Sequence, residues 1–112
     1  MADKRDKKRL RKRLTLRFGI TQPTRIAFTE DISPEGMFIK TTNISAPGST
    51  VLIDIDIQEN LTVSLEARVM WAKKVPPQMI HLVRKSGMGV RITRFTSGEE
   101  HYLKLCQELH NR

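Results

Sequence analysis

The chain has 112 residues, a formal net charge of +8, 38% hydrophobic residues and a single cysteine. That length fits one small domain, the apolar fraction is globular rather than disordered, and one cysteine excludes an intramolecular disulfide. No apolar run approaches the roughly 18 residues of a membrane helix, and the charged N-terminus lacks the apolar stretch of a secretory signal, so a cytoplasmic protein is expected.

Residues 1–13 hold eight lysines and arginines against Asp3 and Asp6, a net +6 that accounts for most of the excess charge. Such a block repels itself, and a mobile arm with an affinity for anions is expected over 1–13, followed by a folded domain over 14–112. From Leu14 the pattern turns to period two. Leu14, Leu16, Phe18 and Ile20 alternate with Thr15, Arg17 and Gly19, which predicts a half-buried strand. Gln22-Pro23 breaks it. Residues 24–31 read as the returning strand, with Ile26 and Phe28 on one face. Ser33-Pro34-Glu35-Gly36 then has the chemistry of a turn: Pro34 presets φ, and Gly36 suits a last position that often needs left-handed backbone.

A strand over 37–42 follows, and Ala46-Pro47-Gly48 turns the chain again. Val51, Ile53, Ile55 and Ile57 alternate with Leu52, Asp54 and Asp56. After Gln58-Glu59-Asn60 comes the longest alternation, with Leu61, Val63, Leu65, Ala67, Val69 and Trp71 on one face. Residues 73–86 form the longest irregular stretch. A last strand over 88–95 turns Val90 and Ile92 inward. Ser97 and Glu100 have capping-box spacing, and Tyr102, Leu105, Cys106 and Leu109 recur at helical spacing, predicting a helix over 98–110. The whole reads as an all-β fold, a small six-stranded antiparallel barrel carrying a C-terminal α-helix.

Enzyme chemistry has little footing in these residues. His81 lies in the irregular stretch, and His101 and His110 are nine residues apart, not at the i, i+4 spacing that shares a metal. Cys106 falls on the apolar helix face, where a small buried hydrophobe is the simpler reading. No phosphate-cradling glycine loop or nucleophile elbow is present, and no catalytic residue, metal or cofactor is expected. Asp54 and Asp56 read as the solvent face of their strand, and Trp71 as core or rim packing.

Two segments stand apart. Arg9-Leu10-Arg11-Lys12-Arg13 places Arg-x-x-x-Arg at the junction of arm and first strand. Asp31-Ile32-Ser33-Pro34-Glu35-Gly36 places Asp-x-Ser-x-x-Gly at a turn. The pairs Arg5/Arg9 and Arg13/Arg17 also satisfy the first spacing; Arg9/Arg13 is preferred because Arg13 directly precedes the Leu14 strand. In this order, and followed by Gly36-Met37-Phe38-Ile39, Pro47-Gly48-Ser49, Arg68-Val69-Met70-Trp71 and Gly87-Met88-Gly89-Val90, the chain resembles the PilZ domain family over nearly its full length.

That resemblance implies a PilZ-type barrel that binds cyclic di-GMP, often as an intercalated dimer. Carried over, the ligand-binding residues are Arg9, Arg13, Asp31, Ser33 and Gly36, with Lys8 at a position that is often basic. The side chains suit such a ligand. An arginine fork matches guanine O6 and N7, a carboxylate accepts from guanine's N–H edge, and a basic arm attracts the two phosphates. The function expected is a stand-alone receptor that orders its arm on binding and signals to an unidentified effector protein. The alternatives are a PilZ-fold adaptor that binds no nucleotide and a small nucleic-acid-binding barrel. The latter is disfavoured because only six Phe, Tyr and Trp residues are present and the strands need most of them inside.

Overall fold

The computed structural model describes residues 10–75, 78 and 86–111. The strands are β1 (Leu10–Arg11), β2 (Thr15–Gly19), β3 (Arg25–Ser33), β4 (Gly36–Lys40), β5 (Thr50–Gln58), β6 (Leu61–Lys73) and β7 (Gly87–Ser97), and one helix, α1 (Glu99–His110), follows. Strands β3, β2, β5, β6, β7 and β4 are antiparallel neighbours in that order, and a further β3–β4 pairing closes the ring. The six strands expected from the alternation are thus a closed barrel. The short β1 adds two residues to β3 outside the ring, pairing Leu10 with Ile32 and Arg11 with Asp31.

Alternation places the core inside the ring. Leu16 and Phe18 of β2, Val51, Ile53 and Ile55 of β5, and Val63, Leu65, Ala67 and Val69 of β6 are all buried. The opposite face carries charge: Arg17 forms a two-point ion pair with Asp56 at 3.1 and 3.2 Å, and Ser64 donates to Asp54 at 2.7 Å. Both aspartates therefore lie on the outer face, as the pattern predicts. The Arg17 hydrogen bond holds the Asp56 carboxyl below its ordinary range. With both side chains more than a third exposed, the pair contributes at most about 1 kcal/mol.

Several expectations change. Trp71, placed by alternation on the same face as Val69, is 45% exposed, because a bulge between Val69 and Trp71 shifts the register. In β3 the inward residues are Ala27, Thr29 and Ile32, while Ile26 is 69% exposed and Phe28 half-buried. The pairing of Leu16 with Ala27 sets that phase, and a bulge between Thr29 and Asp31 restores an apolar inward residue at Ile32. Period-two reading of residues 24–31 groups Ile26 with Phe28 but leaves open which face is inside. Ile20 lies beyond the end of β2 and is exposed. The predicted capping box is absent: the N-cap is Gly98 at φ 83°, without a side-chain cap, and Ser97 belongs to β7. The Gly98 carbonyl instead accepts from the amides of His101 and Tyr102.

Helix α1 covers one end of the barrel through Tyr102 and Cys106, with Leu105 and Leu109 packed against the same core. The Tyr102 hydroxyl donates to the Ser33 carbonyl at 2.6 Å, joining helix and turn. Gly36 does not have the left-handed backbone that its turn position suggests. It is required for another reason: a methyl added there would collide with the Val90 carbonyl oxygen of β7. Gly36→Ala must therefore move backbone at the β4–β7 seam. Thermal or urea unfolding should show a loss of about 1–3 kcal/mol, as for other overpacking changes.

Candidate anion-binding cleft

The chain does not run straight from β1 into β2. Between them it bends at residues 12–14, and buried Thr29 holds the bend together. The Thr29 hydroxyl donates to the Lys12 carbonyl at 2.6 Å and accepts from the Leu14 amide at 2.8 Å. Two backbone bonds flank it: the Thr29 amide to the Leu14 carbonyl, and the Lys12 amide to the Glu30 carbonyl. Leu14 is buried, so Arg13 beside it is turned outward. Its guanidinium lies 4.1 Å from the centroid of the Phe28 ring. A cation over an aromatic face is worth about 0.5–1 kcal/mol at an exposed site, enough to bias the arginine toward one direction.

This bend forms one wall of an open cleft of about 510 Å³. Arg11, Lys12, Arg13 and Lys40 supply four cationic side chains, Glu30 supplies one carboxylate, and Phe28 gives an apolar floor. Arg11 approaches Glu30 at 3.7 Å but is 86% exposed, so that pairing neutralises little of the field. The cleft can accept an anion and can stack a flat group against Phe28 or a guanidinium plane.

The two sequence motifs meet here unequally. Arg13 lines the cleft. Asp31 is paired in register with Arg11 on one side and Phe38 on the other, which puts the acidic residue of the second motif beside the first motif's segment. Ser33 is buried and occupied within its own turn. Its hydroxyl accepts from the amides of Glu35 and Gly36 at 3.3 and 3.2 Å and lies 3.4 Å from the Gly36 carbonyl. Gly36 serves the β4–β7 seam. Lys8 and Arg9 lie outside the described residues, as does His81.

Sequence reasoning does not single out Phe28, Thr29, Lys40 or Arg11 as members of a site. It places Phe28 on one face with Ile26 without saying which way that face points, and nothing in the composition marks a lone threonine as the tie between two strands. The pairing of Phe28 with Lys40 across β3–β4 brings the lysine to the cleft.

Elsewhere the chemistry is sparse. Burial pushes the Cys106 thiol up to about 11, so it is protonated at neutral pH and a poor nucleophile. No group of three or more metal-ligating side chains occurs among the described residues, and no helix among them is long and apolar enough to cross a membrane.

A family model described as PilZ domain matches residues 3–107. No curated protein matches the sequence. Among solved structures, that of the Bacillus subtilis inhibitor of motility (MotI/DgrA) superposes with a TM-score of 0.72 over 99% of this chain, at 17% identity. This chain spans about half of that one, 54% of its length. At such identity the likeness is one of fold.

The bend offers a direct test. Thr29→Val keeps the shape but leaves the buried Leu14 amide without its acceptor, which should cost about 1–3 kcal/mol in urea unfolding. Thr29→Ser, which retains the hydroxyl, should recover most of that loss.

Proposed function

The chain belongs to the PilZ domain family, and on that premise we propose that it is a receptor for cyclic di-GMP that reports the bound ligand to a partner protein. PilZ domains are binding and adaptor domains of cyclic di-GMP signalling rather than enzymes. The observation that carries the reading is the cleft itself. It gathers four cationic side chains around an aromatic floor, directly beside the strand that bears Asp31.

A guanine-containing cyclic dinucleotide suits each part. Its two phosphates meet Arg11, Lys12 and Lys40. Arg13, steadied by Phe28, presents a planar fork to guanine O6 and N7 or stacks on the base. Asp31 accepts from the N–H edge of guanine. Ser33 and Gly36 contribute through the turn they hold, which sets the direction of Asp31. Arg9 and Lys8 complete the arginine motif from the N-terminal side. Binding then draws the segment ahead of β1 against the barrel, where residues 10–13 already lie, and changes the surface offered to an effector.

Calorimetric titration tests the ligand. Cyclic di-GMP should bind saturably, and cyclic di-AMP far more weakly, by about 1–3 kcal/mol for each two-point arginine–guanine pair that adenine cannot form. Equal affinities would leave only charge attraction and remove the base-reading role, and no binding at all would favour the adaptor without nucleotide. Arg13→Ala and Asp31→Ala should each severely weaken binding while Arg17→Ala, whose guanidinium is engaged with Asp56, should not.

Limited trypsin digestion tests the arm. Saturating cyclic di-GMP should slow cleavage near residues 9–13 and leave cutting within 73–86 little changed. The protection should fade with rising salt as phosphate contacts are screened. Calorimetric binding without protection would refute arm closure.

A further inference from the structure

On the barrel wall, β6 and β7 pair Arg68 directly with Arg91. Both are exposed and project from the same face. Like charges directly opposite each other on a sheet are destabilising. Their neighbours further along the same two strands, Glu66 and Arg94, show the usual remedy, an ion pair at 2.8 Å. Arg68 and Arg91 have no such relief: no carboxylate among the described residues pairs with either.

The surroundings of this pair are not those of a solvated face. A bulge between Val69 and Trp71 turns Met70 and Trp71 outward, 50% and 45% exposed. Trp71 cannot sink further, because its ring lies across Gly89 and stacks on Phe38 at 5.3 Å. Two clefts, of about 230 and 570 Å³, meet at Met70 and Arg91. One runs to the Ser33–Gly36 turn, where Glu35 adds a single carboxylate against Arg91 and Arg68, and the other to Pro47 and Gly48. Gly36 lines the first cleft beside Arg91, its partner in the register.

We propose that this groove is the docking surface for an acidic segment of a partner protein, whose carboxylates bridge Arg68 and Arg91 while an apolar side chain seats against Met70 and Trp71. The inference rests on the receptor reading above and supplies its effector-binding face. Carboxylate forks match guanidinium geometry in two points, and an acidic segment lying between two arginines removes the repulsion that the free barrel tolerates. Methionine adapts its shape to an incoming side chain. A nucleic-acid strand fits less well. It needs a track of cations and a row of stacking faces, and this groove has two cations, the carboxylate of Glu35 and one tryptophan, partly covered by Phe38. Strand addition is not the mode here, since the barrel is closed.

Trp71 is the chain's only tryptophan, so its emission reads the groove directly. The full chain is titrated with a synthetic ten-residue peptide alternating glutamate and leucine, a version with serine for glutamate, and a ten-nucleotide oligothymidylate. The acidic peptide should shift Trp71 emission saturably and bind at least about tenfold more tightly than the serine version, the worth of one charge pairing. The double variant Arg68→Glu, Arg91→Glu should abolish that response, whereas Lys104→Glu, on α1, should preserve it. Arg91→Glu alone places opposite charges across the strands and should raise the unfolding midpoint while weakening the peptide.

The proposal fails if the oligonucleotide binds as tightly as the acidic peptide, if acidic and serine peptides bind alike, or if none of the three binds. Cyclic di-GMP binding by the double variant separates the two readings. Retained binding keeps groove and cleft distinct, and abolished binding makes the groove part of the ligand site and overturns the docking role. A wild-type chain that takes the acidic peptide but no cyclic di-GMP would sink the receptor reading and leave this surface standing.

Discussion

The structure depends on the closure of the ring by β4, a strand of five residues that must pair with β3 on one edge and β7 on the other. Antiparallel barrels avoid exposed strand edges only by closing completely. Here closure demands a close approach between strands, and glycine supplies the room. Gly36 lets β4 lie against the Val90 carbonyl, while Gly87 and Gly89 leave space for the rings of Phe38 and Trp71 across the outer face of β7. Bulges on β3, β6 and β7 add the twist that a small barrel needs. The Tyr102 hydroxyl then ties the helix to the same turn.

Closure also arranges the outer surface in rows. Along the register across the sheet, Arg11 faces Asp31, Asp31 faces Phe38, Phe38 faces Gly89, and Gly89 faces Trp71. The neighbouring row runs Ser33, Gly36, Arg91, Arg68 and Thr50. The cationic cleft and the Met70–Trp71 groove are therefore opposite ends of continuous cross-strand contacts, joined by the Phe38–Trp71 stack. A change of packing at Asp31 has a short physical route to Trp71, through neighbouring positions of the register.

Charge separates the faces of the barrel. Arg17–Asp56 and Arg94–Glu66 are satisfied pairs on solvated strands, contributing little to stability and marking no site. Among the described residues, cations outnumber carboxylates beside Phe28 and beside Met70. Each cluster lies beside an apolar side chain that is not buried. Unneutralised charge next to exposed hydrophobic area is costly to the isolated protein, and both are relieved by an anionic partner with a flat or apolar part.

The sequence by itself determined the strands with a single buried face. Leu61 to Val69 alternate without interruption, and a one-residue slip would expose the entire apolar row, so β5, β6 and the outward Asp54 and Asp56 were legible from period alone. The motif residues Arg13 and Asp31 were legible from their resemblance to a family, and the covered Cys106 from helical spacing. What only the tertiary structure decided lies wherever a residue's face depends on a partner strand. The phase of β3, and with it the outward Phe28, follows from pairing with β2 and from a bulge that no local pattern announces. The Thr29 tie, the Gly36 approach to Val90 and the opposed Arg68–Arg91 pair each join residues at least 15 positions apart. Period-two alternation tells which residues share a face of one strand; only closure of the ring decides which face is inside and what lies across from it.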